Sequence, residues 1–412
     1  MDLHTGAPFW PVRDGLPATY PALRQDAAAD VAVLGAGITG ALVAYELSRA
    51  GIDVIVVDRA DVASGSTAAS SGLLLYDTDA SLADLAKTIG EDGAARVYGR
   101  GLEAINRIDA LCRALDRPCG FARRPCLYLA SNRNHRRRLV DEFERRSRLG
   151  LDVQLLSADD VEDRYGFPSH GAIYSAGAGE IDPYCFTHEL LAAALRAGAR
   201  IYDRTAVGGL DTGPHGAVLR LENGCRVRAG HVVCATGYDV GVTLAHTPGQ
   251  LMSTWAFVSE PLEIFEKWPE RCLIWETARP YLYVRSTDDG RLLAGGEDEP
   301  HPYRHRRRTT FAAKTSVLLE RATALFPTLG IEPAYAWAGT FGSTNDGLPY
   351  IGTRADEPHV SFALGYGGNG ITFGVMAATL LRDAILGRPS PDAELFGFDR
   401  GAASRRQMVL SS

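Results

Sequence analysis

The chain has 412 residues, of which 46% are hydrophobic and 23% are charged, an ordinary composition for a folded globular protein. This composition excludes disordered, collagen-like and low-complexity chains, and the length predicts two or three domains. The net charge of -7 disfavours a nucleic-acid partner, because it offers no broad basic surface. Small-molecule chemistry is therefore the favoured class of function.

Cysteine usage and the N-terminal sequence favour a cytoplasmic location. The seven cysteines are odd in number and include no CxxC pair, so we expect neither a disulfide framework nor a metal site. The first residues lack the basic start and apolar core of a signal peptide. No apolar run reaches the roughly 18 residues of a membrane span, so we expect no transmembrane segment.

Residues 30–58 have the pattern of a complete βαβ unit. An apolar strand leads into Gly35, Gly37 and Gly40, a helix with apolar residues at helical spacing follows, and a second apolar strand ends at Asp58. The three glycines suit a tight turn, close approach of a pyrophosphate and close packing of the helix, whose N-terminus supplies unpaired N–H groups. A carboxylate at the end of the second strand suits the hydroxyls of an adenosine ribose. This unit predicts a bound dinucleotide.

Three later segments extend this pattern. Residues 59–72 are rich in small hydroxyl side chains; composition alone favours a surface loop, and the alternative is the lining of a long, flat ligand. Residues 231–238 read as a buried strand that ends in Ala-Thr-Gly. Residues 363–381 read as a strand, a glycine run and a helix, and five glycines between Gly365 and Gly374 favour close backbone approach to a ligand.

Taken together, these segments resemble the D-amino-acid oxidase (DAO) superfamily of FAD-dependent oxidoreductases. The most specific part of the match is Asp-Gly-Leu-Pro-Tyr-Ile-Gly at 346–352 followed by Gly-Tyr-Gly-Gly-Asn-Gly at 365–370. The resemblance implies an α/β fold in which an FAD-binding Rossmann-like domain of the glutathione-reductase type is interleaved with a substrate domain built on a mainly antiparallel β-sheet. The implied division is an N-terminal arm (1–25), a discontinuous FAD-binding domain (26–85, 177–250 and 336–395), a substrate domain (86–176 and 251–335) and a C-terminal tail (396–412).

Local signals predict several elements of this fold. Residues 127–130, 281–285 and 291–296 are predicted strands, and the last two form a hairpin whose turn is Asp-Asp-Gly at 288–290. A helix is predicted to run from Pro183 to Arg196 with Asp182 as its N-cap. Two basic runs, at 133–138 and 304–308, are interpreted as solvated helix faces.

The resemblance implies non-covalent FAD, because the chain has no Cys near Gly339 and no His in the stretch after Asp58, where covalently flavinylated members attach the cofactor. The implied FAD-contacting residues come from the beginning, middle and end of the chain. They are Gly35, Gly37, Ile38, Thr39, Gly40, Asp58, Arg59, Ser66, Thr67, Ser71, Val207, Ala235, Thr236, Gly237, Gly342, Gly367, Gly368, Asn369, Gly370, Ile371 and Thr372.

The resemblance also implies oxidation of a C–N bond of an amine or amino acid by hydride transfer to flavin N5, followed by hydrolysis of the imine. The substrate is therefore a small molecule, and oxygen or another acceptor takes the electrons. Flavin monooxygenases and disulfide reductases are disfavoured, because their Gly-Asp motif and cysteine pair are missing. A non-catalytic flavin-binding subunit of a larger complex stays open as an alternative.

The substrate site departs from the usual patterns of the superfamily. The Arg that holds the substrate carboxylate in amino-acid oxidases is replaced by Phe341, and the Lys of sarcosine-type enzymes by Thr372. Arg285 is the predicted replacement anchor, with a surface arginine on an edge strand as the alternative. The candidate catalytic and lining residues are Trp255, Tyr281, Tyr283, Arg285, Phe341 and Tyr366, with Phe373 as a further ring and with Asp77 and Glu276 as partners for a substrate ammonium. The alternatives are core packing for each ring and solvated or salt-bridged positions for the two acids.

Lysine is scarce in this chain. The three lysines are Lys87, Lys267 and Lys314, and none of them lies in a motif expected to touch the flavin. Sarcosine-type oxidases use a flavin-proximal Lys to promote the reaction with oxygen, and Tyr283 faces that position here. A dehydrogenase that passes its electrons to another acceptor is therefore an open alternative to an oxidase.

Overall fold

The computed structural model describes residues 3–239, 241, 244, 249–262, 268–301 and 309–400. These residues form two β-sheets with helices packed against them. The strands are β1 (His4–Gly6), β2 (Ala27–Leu34), β3 (Val54–Val57), β4 (Leu73–Leu74), β5 (Ala122–Leu129), β6 (Val153–Leu156), β7 (Ala172–Glu180), β8 (Arg200–Tyr202), β9 (Val207–Gly213), β10 (Gly216–Leu221), β11 (Arg226–Cys234), β12 (Gln250–Ser259), β13 (Leu273–Glu276), β14 (Leu282–Ser286), β15 (Leu292–Pro300), β16 (Pro333–Ser343), β17 (Tyr350–Arg354) and β18 (Glu357–Leu364). The helices are α1 (Phe9–Asp14), α2 (Ile38–Arg49), α3 (Leu82–Ala114), α4 (His135–Arg148), α5 (Ala158–Tyr165), α6 (Pro183–Arg196), α7 (Phe311–Leu325) and α8 (Gly370–Ile385), with 3-10 turns at Pro269–Arg271 and Pro391–Phe396.

The smaller sheet has a parallel centre. Its order is β17-β18-β11-β2-β3-β8, and the β9–β10 hairpin extends from β11. The pairs β18–β11, β11–β2, β2–β3 and β3–β8 are all parallel. Strand β3 is buried along its whole length, which explains its uninterrupted apolar sequence. The predicted βαβ unit at 30–58 is confirmed as β2, α2 and β3.

The larger sheet is mainly antiparallel, as expected. Its order is β1-β16-β12-β15-β14-β13-β5-β7-β4, with β6 on β7, and β13–β5 is its parallel pair. The predicted hairpin is confirmed as β14 and β15, closed by a hydrogen bond from the N–H of Thr287 to the carbonyl of Arg291 (2.9 Å). The predicted strand at 127–130 is the end of β5.

Helix α6 begins as predicted. The Asp182 carboxylate accepts hydrogen bonds from the N–H groups of Tyr184 and Cys185, both at 2.9 Å, and Pro183 occupies the first helical position. The N-cap Asp182 and Pro183 therefore predict this helix start correctly.

The chain passes repeatedly between the two sheets. Strand β1 lies in the larger sheet, β2–β3 in the smaller, β4–β7 in the larger, β8–β11 in the smaller, β12–β16 in the larger and β17–β18 in the smaller. The domain boundaries inferred from the sequence stay a proposal. Strand β16, most of which they place in the cofactor domain, pairs with β12 in the larger sheet.

Helix α4 contains the end of the first basic run. Arg133, Arg136, Arg137 and Arg138 are exposed, in keeping with a solvated face. The second run at 304–308 and Lys267 lie outside the described residues. None of the described helices is both long and apolar enough to span a membrane. Within the described ranges, no group of three or more His, Cys, Asp or Glu side chains is arranged to hold a metal ion.

Candidate active site

The turn between β2 and α2 requires glycine. Gly35 has a φ of +108°, and a Cβ added there would lie 2.5 Å from the carbonyl oxygen of Ala235. A Cβ on Gly40 would lie 1.9 Å from the carbonyl oxygen of Gly35. Helix α2 starts without a side-chain cap from Gly37. The N–H of Ile38 donates to the hydroxyl of Thr67 at 3.0 Å, and Ile38 and Thr39 both line the space in front of the turn.

Asp58 lies at the carboxyl end of β3, beside this turn. Its carboxylate accepts hydrogen bonds from the N–H groups of Ala36 (2.7 Å) and Ala60 (2.9 Å). Burial raises the pKa of Asp58, and the two N–H donors oppose that effect. The next residue, Arg59, forms an ion pair with Asp239. The backbone thus holds the carboxylate in place at one end of the site.

The C-terminal glycine run forms a second backbone turn. Gly367 has a φ of +59°, and the N–H of Gly368 donates to Oδ2 of Asp79 at 2.8 Å. The Asn369 amide donates to the carbonyl of Asp77. Helix α8 then begins at Gly370 without a side-chain cap. Two uncapped helix N-termini, from α2 and α8, therefore border the same site.

One cavity of about 510 Å³ joins these features. It brings the beginning, middle and end of the chain together, as the sequence predicted. The predicted cofactor residues that line it are Gly35, Gly37, Ile38, Thr39, Asp58, Arg59, Ser66, Thr67, Ser71, Val207, Ala235, Thr236, Gly237, Gly367, Gly368, Asn369, Gly370 and Ile371.

Three predicted cofactor residues lie outside the cavity lining. Gly40 packs α2 against the β2 turn, and Gly342 accepts the N–H of Gly367 (2.9 Å) from behind the glycine run. The Thr372 hydroxyl donates to the carbonyl of Asn369 at 3.1 Å. These three residues support the lining from behind.

Aromatic side chains from the larger sheet and the glycine run line the rest of the cavity. Tyr281, Tyr283, Phe341 and Tyr366 are all in its lining, as predicted. Trp275, which the sequence reading missed, also lines it. Trp275 is opposite Tyr283 in the β13–β14 register.

The prediction that Trp255 lines the site is wrong. Thr254 lines the cavity, and side chains alternate across a strand, so the next residue of β12 points to the other face of the sheet. Trp255 is fully buried there in an apolar core, with the ammonium of Lys314 5.1 Å from the centre of its ring.

The prediction that Arg285 anchors a substrate carboxylate is not supported by its position. Arg285 is 1% exposed and lies outside the cavity lining. Its Nη1 lies within 3.0 Å of the carbonyl oxygens of Ser71, Gly72 and Ile181, and its Nε donates to the carbonyl of Ser286 at 2.7 Å. Backbone carbonyls thus accept the hydrogen bonds of this guanidinium, so Arg285 holds the loop of residues 64–72 in place instead of binding a ligand.

Two further candidates lie away from the cavity. Glu276 forms an ion pair with Arg321 and accepts the N–H of Leu282 at 3.0 Å. Phe373 is buried in α8 and packs against Phe396 with ring centroids 6.4 Å apart. Neither residue lines the cavity.

Asp77 does line the cavity, and it belongs to a buried charge cluster. Nη1 of Arg146 lies 2.5 Å from Oδ1 of Asp77, and Nε of Arg146 lies 2.9 Å from Oε1 of Glu142. All three side chains are at most 3% exposed. Burial raises the pKa of Asp77 to about 6, with Arg146 opposing the shift and Glu142 adding to it. With all three groups ionised, the cluster carries one net negative charge.

The sequence reading also missed the N-terminal strand and Asp79. Leu3 and His4 line the cavity, because β1 pairs with β16 and places His4 opposite Gly339. A three-residue strand far from any motif has no sequence signal of its own. Asp79 lies two residues beyond Asp77, and its acidic character was the available signal.

Comparison with known proteins agrees with this geometry. A family model described as FAD dependent oxidoreductase (DAO) matches residues 30–384. Gamma-glutamylputrescine oxidoreductase of Escherichia coli is 27% identical over 399 residues, covering 92% of this chain and 88% of that protein. Glycine oxidase of Geobacillus kaustophilus is 25% identical over 378 residues, covering 86% of this chain and 92% of that protein. A crystal structure of glycine oxidase from Geobacillus kaustophilus shares the fold, with a TM-score of 0.76, 22% identity and coverage of 89% of this chain and 96% of that one.

Proposed function

This chain belongs to the FAD dependent oxidoreductase (DAO) family, and from that premise we propose that it oxidises a C–N bond in a small amine or amino acid. The observation that carries the proposal is the single cavity in which the dinucleotide turn, Asp58 and the start of α8 meet aromatic side chains of the larger sheet. Two relatives that match along most of the chain are named for nitrogen-bearing compounds, glycine and gamma-glutamylputrescine.

The residues of the cavity fit FAD. Oγ1 of Thr236 is buried without a hydrogen-bond partner in the described part of the chain, so the lining has a polar atom left for a ligand. The two uncapped helix N-termini suit the charge of a pyrophosphate, and Asp58 suits ribose hydroxyls.

We propose that the FAD is bound non-covalently. No cysteine of the described chain lines the cavity, and its one lining imidazole, His4, has Nε2 within 3.1 Å of the carbonyl oxygen of Ser64. Release of the flavin by acid tests this directly, and flavin that stays on the denatured chain would identify His4 as the first residue to examine.

FAD, held by the Gly35–Gly37 turn, Asp58 and the start of α8, would supply a two-electron acceptor for oxidation of the substrate C–N bond, and the imine product would hydrolyse in water. The side chains of this protein bind and orient the substrate. Tyr281, Tyr283 and Phe341 exclude water from the aromatic end of the cavity. The Tyr366 hydroxyl is buried without a hydrogen-bond partner among the described residues, which leaves it able to bind a polar ligand group.

A second candidate function is a dehydrogenase with an acceptor other than oxygen. Lys87 is exposed and pairs with Asp84, whereas Lys314 pairs with Glu297. No lysine in the described part of the chain lines the cavity, so the group that promotes oxygen reduction in sarcosine-type enzymes has no counterpart there.

Anaerobic reduction of the bound flavin tests the proposed function. The purified protein is saturated with FAD and mixed with amines, N-methyl amino acids and D- and L-amino acids, and bleaching of the flavin absorbance is followed. Bleaching by at least one of these compounds is expected. Hydrogen peroxide formed after air is admitted identifies an oxidase, and bleached flavin that persists in air but reacts with a dye identifies a dehydrogenase. Flavin that none of the compounds reduces contradicts the proposal and favours a non-catalytic flavin-binding subunit.

A further inference from the structure

Asp79 is a carboxylate in the cavity lining without an ion-pair partner in the described part of the chain. Its Oδ2 accepts one hydrogen bond, from the N–H of Gly368 at 2.8 Å. The nearest cation is Arg279, an exposed side chain outside the lining. Its guanidinium donates to the backbone carbonyl of Asp79 at 3.4 Å and lies 5.0 Å from the centre of the Tyr281 ring. Burial raises the pKa of Asp79, which shows that its charge is poorly solvated.

A second carboxylate lies close to the same place. Oδ1 of Asp298 is shielded from solvent and has no hydrogen-bond partner among the described residues. Burial raises the pKa of Asp298 to about 6; the Thr254 and Tyr281 hydroxyls and Arg279 oppose this shift, and the charge of Asp79 adds to it. Burial raises the pKa of Tyr281 well above its usual value, and the carboxylates of Asp298 and Asp79 both contribute. The charges of both acids are therefore felt at the hydroxyl of Tyr281, in the cavity wall.

This end of the cavity has an excess of negative charge. The buried cluster of Asp77, Arg146 and Glu142 contributes one net negative charge, Asp79 in the lining adds one, and Asp298, outside the lining, adds another when ionised. The exposed Arg279 offsets one of these three charges, so a negative excess remains among these groups. Uncompensated charge in a confined, aromatic site is costly, and a bound cation would offset that cost.

The reacting nitrogen is not that cation. Hydride leaves the carbon readily only when the adjacent nitrogen has a free lone pair to form the C=N bond, and an ammonium has none. A carboxylate beside the reacting nitrogen would favour its protonated form and slow the reaction. The unpaired carboxylates therefore suit a second cationic group, away from the bond that is oxidised.

We propose that the substrate is a diamine or another amine with a second, non-reacting ammonium group, and that Asp79 binds this group. The inference rests on the proposed function and names its substrate class. An ammonium donates hydrogen bonds to carboxylate oxygens, and Asp79 supplies such a carboxylate in the cavity lining.

The competing explanation is that Asp79 only fixes the glycine run through the N–H of Gly368. Asp79→Asn separates the two roles, because the asparagine side chain keeps an acceptor oxygen for Gly368 and loses the charge. Asp298→Asn provides a second variant in case Asp79→Asn fails to hold FAD. Asp92→Asn is the matched control, because this acid is 88% exposed and lies outside the cavity lining, and its removal changes the net charge by the same amount.

The experiment compares terminal diamines with monoamines and terminal amino acids of equal chain length. Diaminopropane, diaminobutane and diaminopentane are each compared with the alkylamine and the ω-amino acid of the same carbon number, in anaerobic flavin reduction at mildly alkaline pH. The best diamine is expected to half-saturate reduction at a concentration about tenfold or more below its monoamine, which is the effect of one well-placed charge pair. The ratio of the half-saturating concentration of the monoamine to that of the diamine is expected to fall to near one in Asp79→Asn. The same ratio is expected to be unchanged in Asp92→Asn.

Three outcomes overturn the proposal. A preference for the ω-amino acids would show that a carboxylate is recognised, with Arg279 as its candidate partner. Equal half-saturation by diamine and monoamine in the unmodified protein would show that no second ammonium is bound. An unchanged ratio in Asp79→Asn, with normal flavin absorbance, would leave Asp79 as a support for the glycine run. Each of these results includes flavin reduction by some amine, whereas failure of the proposed function leaves the flavin oxidised with every compound.

Discussion

Arg285 is buried where the loop of residues 64–72 meets β7 and α6. Removing its side chain leaves several carbonyl oxygens without a hydrogen-bond donor. It also removes one of the two cations that offset the buried charge of Glu180, whose carboxylate lies 3.6 Å from Nε of Arg285 and 2.9 Å from Nη2 of Arg124. We expect Arg285→Ala to lower the free energy of unfolding by about 3 kcal/mol, as for other buried charges that lose a partner. Urea denaturation measures this change.

The control for this prediction is Arg113→Ala, because that arginine is 74% exposed and its loss is expected to leave the free energy of unfolding nearly unchanged. Arg285→Lys keeps a cation at the buried site and is expected to fall between the two variants. A selective loss of activity on carboxylate-bearing substrates, with stability unchanged, would restore Arg285 as a substrate anchor.

The raised pKa of Asp298 predicts pH dependence in substrate recognition. Below about pH 6 this carboxyl becomes neutral, and its attraction for a cationic group is lost; above that pH the carboxylate and the attraction are present. Thr254, Tyr281, Asp79 and Arg279 all act on its titration. We therefore expect the diamine-to-monoamine preference in kcat/KM to fall as pH is lowered through about 6. Taking this ratio removes the titration of the reacting nitrogen, which both compounds share.

Asp298→Asn tests which residue causes that pH dependence. The variant is expected to lose the change in preference near pH 6, although Asp77 titrates in the same range because its pKa is also raised to about 6. A profile that is identical in Asp298→Asn and the unmodified protein would assign the titration to Asp77 or to Asp79, because burial raises the pKa of both carboxyls.

At the scale of elements, the fit between β2 and α2 sets the position of the dinucleotide turn. Gly40→Ala would bring a Cβ to 1.9 Å from the carbonyl oxygen of Gly35, so α2 must move away from the turn. We expect this substitution to weaken FAD binding by about tenfold or more, measured by titration of the apoprotein with FAD, because N–H groups at a helix start bind a pyrophosphate only at close range. Gly99→Ala in α3 is the matched control, because a Cβ there meets nothing within 4 Å.

Strand β1 is a second element that acts on the cavity. The N–H of Thr340 donates to the carbonyl of Leu3 at 2.8 Å, and Nε1 of Trp10 donates to the carbonyl of Ser70 at 2.7 Å. Deletion of residues 1–7 removes β1 but leaves Trp10 in the core. We expect the truncated protein to fold and to release FAD faster than the full chain, as measured by flavin fluorescence after dilution. Equal release rates would show that β1 lines the cavity without retaining the cofactor.

At the scale of the whole molecule, the sequence predicted the features that only a few residue types can form, such as glycine turns and a carboxylate at the end of a strand. Gly35, Asp58 and the glycine run at 365–370 could be located because few residue types satisfy a positive φ, a close approach or a ribose-binding carboxylate. The sequence did not determine where the side chains of Trp255 and Arg285 point. Side chains alternate along a strand, and which face of the sheet meets the ligand is known only once the neighbouring strands are known. β1 was missed because its pairing with β16 joins residues that lie more than 300 positions apart in the chain.

The alternation of the chain between the two sheets predicts cooperative unfolding. Each sheet contains strands from the beginning, middle and end of the chain, and the cofactor cavity lies where segments of both sheets meet, so neither sheet is a continuous piece that can separate. FAD that binds only the folded chain adds about 2.7 kcal/mol of stability when its free concentration is about 100 times Kd. We therefore expect one thermal transition, reported at the same Tm by flavin fluorescence and by circular dichroism, and a Tm that rises with added FAD. Flavin release well below the loss of secondary structure would show instead that the cavity opens while both sheets remain folded.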